Sequence, residues 1–109
     1  MTHNVPIEAP RWIATYEQLA ETLNDGYDMC IYEYTNDMSS RELLDRYQSH
    51  PLIAEMTTRI TTADNKIREI LSPTKCCIHG DFPRSHFWYW MYPPNSPELE
   101  RDLREIGAI

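Results

Sequence analysis

The sequence is short of basic residues. Its 109 residues include 10 Lys and Arg against 17 Asp and Glu, which gives a formal net charge of −7. A protein that binds the backbone of DNA or RNA needs a basic face to neutralise the phosphates. We therefore exclude direct nucleic acid binding and expect a partner protein with a basic surface.

Long hydrophobic segments are also lacking. The longest uninterrupted apolar run covers residues 87–92, whereas a membrane-spanning helix needs about 20 apolar residues. The first residues of the chain show neither the basic nor the apolar region of a secretory signal peptide. The sequence therefore predicts a cytoplasmic protein with no membrane contact.

Cysteine is scarce and odd in number, since only Cys30, Cys76 and Cys77 occur. Adjacent cysteines are poorly placed to pair with each other, because a disulfide requires side chains that point toward one another. The pattern is typical of reduced thiols in a cytosolic protein.

The length excludes large catalytic architectures such as a (β/α)₈ barrel or a full dinucleotide-binding sheet. No linker, repeat or low-complexity tract divides residues 1–109, so we predict a single domain. Residues 1–10 contain Pro6 and Pro10 and little hydrophobic pattern. We predict that they form an extended N-terminal arm.

Helix and strand signals alternate along the chain and predict an α+β fold. Thr15-x-x-Gln18 and Ser39-x-x-Glu42 fit the capping box that opens a helix. Four threonines within residues 56–62 leave a strand as an alternative to a helix in that segment. We predict about four helices, over residues 15–25, 39–49, 51–71 and 96–107, packed on a small, mainly antiparallel sheet of residues 27–35, 75–79 and 86–92.

The excess negative charge lies in the first half of the chain. Residues 1–55 hold ten acids and three bases, whereas residues 56–109 hold seven of each. No base occurs between Arg11 and Arg41. We predict an acidic patch that binds a basic surface, although a solvated helix face that keeps the protein soluble explains the same pattern. The patch comprises Glu17, Glu21, Asp25, Asp28, Glu33 and Asp37.

Aromatic residues are concentrated at the end of the second half. Successive side chains of a strand point to opposite faces, so a strand over residues 86–92 would place one aromatic triplet on each face. The triplet Trp88, Trp90 and Tyr92, with Arg84 nearby, is a candidate interface anchor, because Trp, Tyr and Arg dominate interface hot spots. Burial of both faces in a small α+β core is the alternative.

Residues 76–86 contain the types of side chain that bind metals or act as nucleophiles. On a strand, Cys76 and Cys77 point to opposite faces, so they cannot both join His79 around one ion. Cys77, His79 and Asp81 share a strand face but are spaced about 6.5–7 Å apart, too far for a nucleophile and its base. We expect no metal and no other cofactor here.

The one-sided charge, together with the lack of a catalytic arrangement, favours a non-enzymatic acidic interaction protein. We expect it to inhibit or neutralise a partner by occupying a basic, nucleic-acid-binding surface, as small acidic phage anti-defence, anti-CRISPR and toxin-immunity proteins do by analogy of type. Two alternatives remain: a small thiol- or His-dependent enzyme or metal protein centred on residues 76–86, and a structural subunit that self-assembles through the aromatic strand. The oligomeric state is left open.

Overall fold

The N-terminal helix begins ten residues earlier than its capping-box signal. A computed structural model describes residues 3–109, and its first helix, α1, spans Val5–Asp25. Pro6 lies in the first turn, where a missing N–H costs no intrahelical hydrogen bond, and Asn4 N donates to Glu8 Oε2 over 2.6 Å. The extended arm is therefore wrong from residue 5 onward, and residues 1–2 lie outside the described chain.

The second helix replaces the first strand of the sequence prediction. Helix α2 spans Ile31–Arg46, so both the strand 27–35 and the helix bounds 39–49 are wrong. Tyr34 and Met38 are fully buried and lie one helical turn apart, which gives this segment a core-facing stripe. Packing of that stripe outweighs the strand preference of its aromatic and β-branched residues, a preference that depends strongly on context.

The predicted helix over residues 51–71 is broken into two. Helix α3 spans Pro51–Ala54 and helix α4 spans Thr57–Ile70. Met56 lies outside the helical region of backbone angles, at φ −92° and ψ 4°, and Thr57 Oγ1 donates to Ala54 O over 2.7 Å. The threonine-rich segment is therefore helical from Thr57, and the strand alternative for it is wrong.

The sheet of the described residues is smaller than predicted. It consists of two antiparallel strands, β1 (Ser72–Pro73) and β2 (Met91–Tyr92), with Ser72 opposite Tyr92. Residues 75–79 form no strand, and residues 87–89 form a 3₁₀ helix (Phe87–Tyr89) before β2. The last helix, α5 (Pro97–Glu105), lies within its predicted bounds. The α+β class is confirmed, with five helices and this sheet among residues 3–109.

A buried ion pair joins the main helices. Arg41 of α2 contacts Asp64 of α4 twice, through Nε to Oδ1 at 2.8 Å and Nη2 to Oδ2 at 3.0 Å. The two side chains are only 13% and 12% exposed. Tyr16 of α1 donates its hydroxyl to Asp64 Oδ1 over 2.5 Å, and the Trp88 ring lies 4.2 Å from the Arg41 guanidinium carbon. Three helices and the 3₁₀ segment therefore meet at one charged pair.

A helix that crosses a membrane must be both long and apolar. Within residues 3–109, every helix is too short or too polar to cross a membrane.

Tyr34 gives a test of the core through pH. Its hydroxyl donates to Met91 O over 2.8 Å, and burial raises the pKa of the phenol above its ordinary value of 10.0. A raised folded pKa gives stability that is complete below pH 10 and declines as the pH rises above it. We expect the free energy of unfolding of the wild type to exceed that of Tyr34→Phe by about 1 kcal/mol at neutral pH. This difference should shrink in alkaline solution.

Urea unfolding, monitored by circular dichroism at neutral pH and again above pH 10, measures this difference in the free energy of unfolding. Tyr32→Phe is the matched control, because Tyr32 is 82% exposed, and it should leave stability unchanged at both. A gap for Tyr34→Phe that stays constant above pH 10 would contradict this account of the core.

Candidate interaction surface

Two acids of the predicted patch face bases of this chain. Glu17 and Glu21 lie one turn apart on α1, where they meet Arg59 and Lys66 of α4. Arg59 Nε donates to Glu17 Oε2 over 3.1 Å, and Lys66 Nζ to Glu21 Oε1 over 3.1 Å. The hydrogen bond from Arg59 lowers the pKa of Glu17. These carboxylates are already partly neutralised, so they attract a basic partner less than isolated carboxylates would.

Asp28 is used at the start of another helix. Its Oδ1 accepts hydrogen bonds from Glu98 N at 2.9 Å and Leu99 N at 3.3 Å, in the first turn of α5. In return, Asp102 of α5 accepts from Ile31 N, the first residue of α2, over 3.0 Å. The two carboxylates accept hydrogen bonds from N–H groups that a helix leaves unpaired at its N-terminus. The positive end of the helix dipole also stabilises the negative charge of each carboxylate. The pair of remote caps fixes α5 against the start of α2.

Asp37 is likewise engaged within the chain. Its Oδ2 accepts a hydrogen bond from the Tyr27 hydroxyl over 2.5 Å. Burial is the main cause that raises the pKa of Tyr27, and this hydrogen bond is the second. The two residues border a groove of about 530 Å³ between α1 and the segment 27–37. The groove is lined by Ala14, Thr15, Gln18, Leu19, Thr22, Tyr27, Met29 and Asp37.

Asp25 and Glu33 are the members of the patch that remain exposed without a partner in the described chain. Asp25 ends α1, and Glu33 lies in the first turn of α2. Between them in the sequence stand two exposed apolar residues, Met29 at 42% and Tyr32 at 82% exposure. We call residues Asp25, Met29, Tyr32 and Glu33 the Tyr32 surface.

Sequence reasoning missed Met29 and Tyr32, because a strand over residues 27–35 gave no reason to single them out. The helical spacing of Tyr34 and Met38 was the available signal. With those two residues in the core, Tyr32 falls about 200° around the helix from Tyr34, on the opposite side.

The predicted aromatic anchor is not an exposed triplet. Trp88 is 1% exposed, while Trp90 and Tyr92 are partly buried against the core. Trp90 Nε1 donates to Phe82 O over 3.1 Å, and the Arg84 guanidinium carbon lies 4.5 Å from the Trp90 ring. Because residues 87–89 are 3₁₀ and not strand, the strict alternation of faces does not apply. The predicted strand that would have displayed the triplet on one face is therefore wrong over residues 87–89.

Cys77 and His79 each have a contact of a different kind in the cysteine segment. Cys30, Cys76 and Cys77 are free and partly buried. Cys77 Sγ donates to the backbone O of His79 over 3.1 Å, and the exposed His79 ring lies 5.0 Å from Tyr89. His86 instead reaches α2, where its Nδ1 lies 2.8 Å from Glu42 Oε1. The thiol- or His-centred alternative for residues 76–86 stays a prediction.

Asp28 and Asp102 give a test that separates acids that cap a helix from acids that have no partner among residues 3–109. Asp28→Ala and Asp102→Ala should each lower the free energy of unfolding by about 1 kcal/mol, since each removes the acceptor of a helix N-terminus. Asp25→Ala is the matched control and should change stability by less than about 0.5 kcal/mol. Chemical denaturation of the three variants provides the comparison. Equal effects at Asp28 and Asp25 would show that the caps contribute nothing.

Comparison with known proteins adds no assignment to this surface. The chain matches no protein-family model, no curated protein and no solved structure.

Proposed function

We propose that this chain is a non-enzymatic interaction protein that inhibits or neutralises a partner by occupying a basic, nucleic-acid-binding surface. Its mode of action would be that of phage anti-defence, anti-CRISPR or toxin-immunity proteins. The Tyr32 surface is the part of the chain that makes the contact. The localisation that fits this role is the cytoplasm, where a nucleic-acid-binding partner would be met.

The observation that carries the proposal is the exposure of Tyr32 beside unpaired carboxylates. Tyr32 is 82% exposed, and its neighbour Glu33 has no described partner. Tyrosine is enriched at the centre of protein interfaces, because its ring offers a large contact area and its hydroxyl forms hydrogen bonds. The surrounding carboxylates select a partner of opposite charge, because complementary charges speed encounter and exclude like-charged proteins.

The groove beside Met29 extends the same surface. Met29 is 42% exposed and borders the groove of about 530 Å³, in which Asp37 is the charged residue. Methionine adapts its shape to different partners, since its side chain is flexible and polarizable. A basic partner therefore finds apolar contact at Tyr32 and Met29 and charge contact at Asp25, Glu33 and Asp37.

The arrangement differs from a simple row of phosphate-like charges. Glu17 and Glu21 would belong to such a row, but each already faces a base of α4. Exposed ion pairs of this kind are weak, so a basic partner could exchange with them at small cost. The proposed surface is accordingly centred on Tyr32, with the α1 carboxylates at its margin.

A binding experiment with charge-matched variants tests the proposal. The wild-type chain, Glu33→Lys and Tyr32→Ala serve as separate baits for proteins of the source cell. We expect a basic protein to bind the wild-type bait and to be released by salt, as exposed charge contacts require. Each variant should weaken that binding by at least about tenfold, the loss typical of a hot-spot residue.

Glu55→Lys is the matched control, because Glu55 is exposed at the C-terminal end of α3 and the change of charge is identical. The wild-type chain should also displace nucleic acid from the captured protein, and Glu33→Lys should not. Binding that is equally weakened by Glu55→Lys, or that leaves nucleic acid in place, would refute the proposal.

A further inference from the structure

A second group of charged side chains lies apart from the Tyr32 surface. Glu42 and Asp45 are one turn apart on α2, and His86 immediately precedes the 3₁₀ helix. His86 Nδ1 lies 2.8 Å from Glu42 Oε1, and His86 Nε2 lies 3.6 Å from Asp45 Oδ2. One ligand atom from each of the three residues lies within 4.8 Å of the others.

The imidazole is held in place by rings on its neighbours. The Phe82 ring stacks on it with a centroid distance of 4.9 Å and an interplanar angle of 21°. The Trp88 ring contacts it at 4.9 Å. A ligand that is already oriented loses little conformational freedom when it binds an ion, so this packing favours binding.

Within the described chain, Glu42 and Asp45 form salt bridges to His86 and to no lysine or arginine. Arg41, the neighbouring base, directs both Nε and Nη2 to Asp64. Glu42 is only 7% exposed, and in the described chain its charged contact is His86. A neutral imidazole donates from only one nitrogen, so with carboxylates at both nitrogens one contact is unfavourable unless positive charge is supplied. A metal ion supplies it at one nitrogen only, so one of the two carboxylates must turn toward that nitrogen to join the site.

Trp88 provides an independent observation next to this group. Its Nε1 is buried and has no hydrogen-bond acceptor in the described chain, although its ring contacts His86. A buried N–H without an acceptor destabilises a fold, and a solvent oxygen or an anion can supply that acceptor. A solvent oxygen or small anion completing the shell of an ion beside His86 would be an acceptor of the kind it lacks.

We propose that Glu42, Asp45 and His86 form a binding site for a divalent transition-metal ion. Ligands at about 2.1 Å from an ion are at most about 4.2 Å apart, so side-chain movements of under about 1 Å close the site. One imidazole with two carboxylates suits Mn²⁺, Fe²⁺ or Zn²⁺ better than Ca²⁺, which takes oxygen ligands alone. The site is independent of the proposed inhibitory function, since none of its ligands belongs to the Tyr32 surface.

Titration of the intact protein with Mn²⁺ alone tests the site. Mn²⁺ is the probe because it has little affinity for thiolates such as Cys76 and Cys77. The electron paramagnetic resonance signal of free Mn²⁺ should fall with one-to-one saturation below about 1 mM. Asp45→Asn should weaken binding by at least about tenfold, the minimum expected for loss of a ligand.

Glu55→Gln is the matched control, since Glu55 is an exposed acid whose side chain shares no contact with the three ligands, and it should bind like the wild type. Paramagnetic broadening of wild-type amide signals gives a readout that does not depend on whether a variant folds. Broadening should centre on residues 42, 45 and 86. Absence of saturable binding, equal affinity in Asp45→Asn, or broadening centred elsewhere would overturn the proposal.

Discussion

The buried pair of Arg41 and Asp64 is the interaction on which the rest of the architecture depends. Two charges removed from water are tolerable only when their contacts are complete, and this pair has two direct hydrogen bonds and a third from Tyr16. The Trp88 ring lies against the guanidinium, which ties the 3₁₀ segment to the helices. Once Arg41 is directed to α4, its neighbour Glu42 lies against His86. This orientation of α2 about its axis leaves Tyr32 and Glu33 exposed to solvent.

Much of the negative charge is therefore used inside the structure. Asp64 neutralises a buried arginine, Asp28 and Asp102 cap helices that are distant in sequence, and Asp37 accepts a tyrosine hydroxyl. The number of acidic residues thus overstates how many carboxylates are free to contact a partner. The proposed contact surface is defined by the acids that folding leaves unpaired and by the apolar side chains exposed between them. This links the stability of the fold to the placement of the surface.

The sequence was most informative where local signals and packing agree. Helix α5 was predicted because Ser96 and Pro97 start it and Leu99 and Leu103 give it a buried stripe. The first half of helix α2 was missed because its N-terminus is capped by Asp102, 71 residues away, and because Tyr and Ile favour strands locally. Asp25 and Glu33 were among the candidate residues because the charge pattern is visible in the sequence. Tyr32 was not, because the strand predicted for its segment gave no reason to select it. No pattern in the sequence pairs His86 with α2, since that contact spans 44 residues.

A double-mutant cycle on Arg41 and Asp64 tests the central role of the buried pair most directly. Arg41→Met and Asp64→Leu each leave one buried charge without its partner, so each should lower the free energy of unfolding by about 3–5 kcal/mol. The double variant removes both charges and should be more stable than the sum of the single changes implies, by at least about 2 kcal/mol. Effects that add to within about 0.5 kcal/mol would show that the pair does not organise the fold.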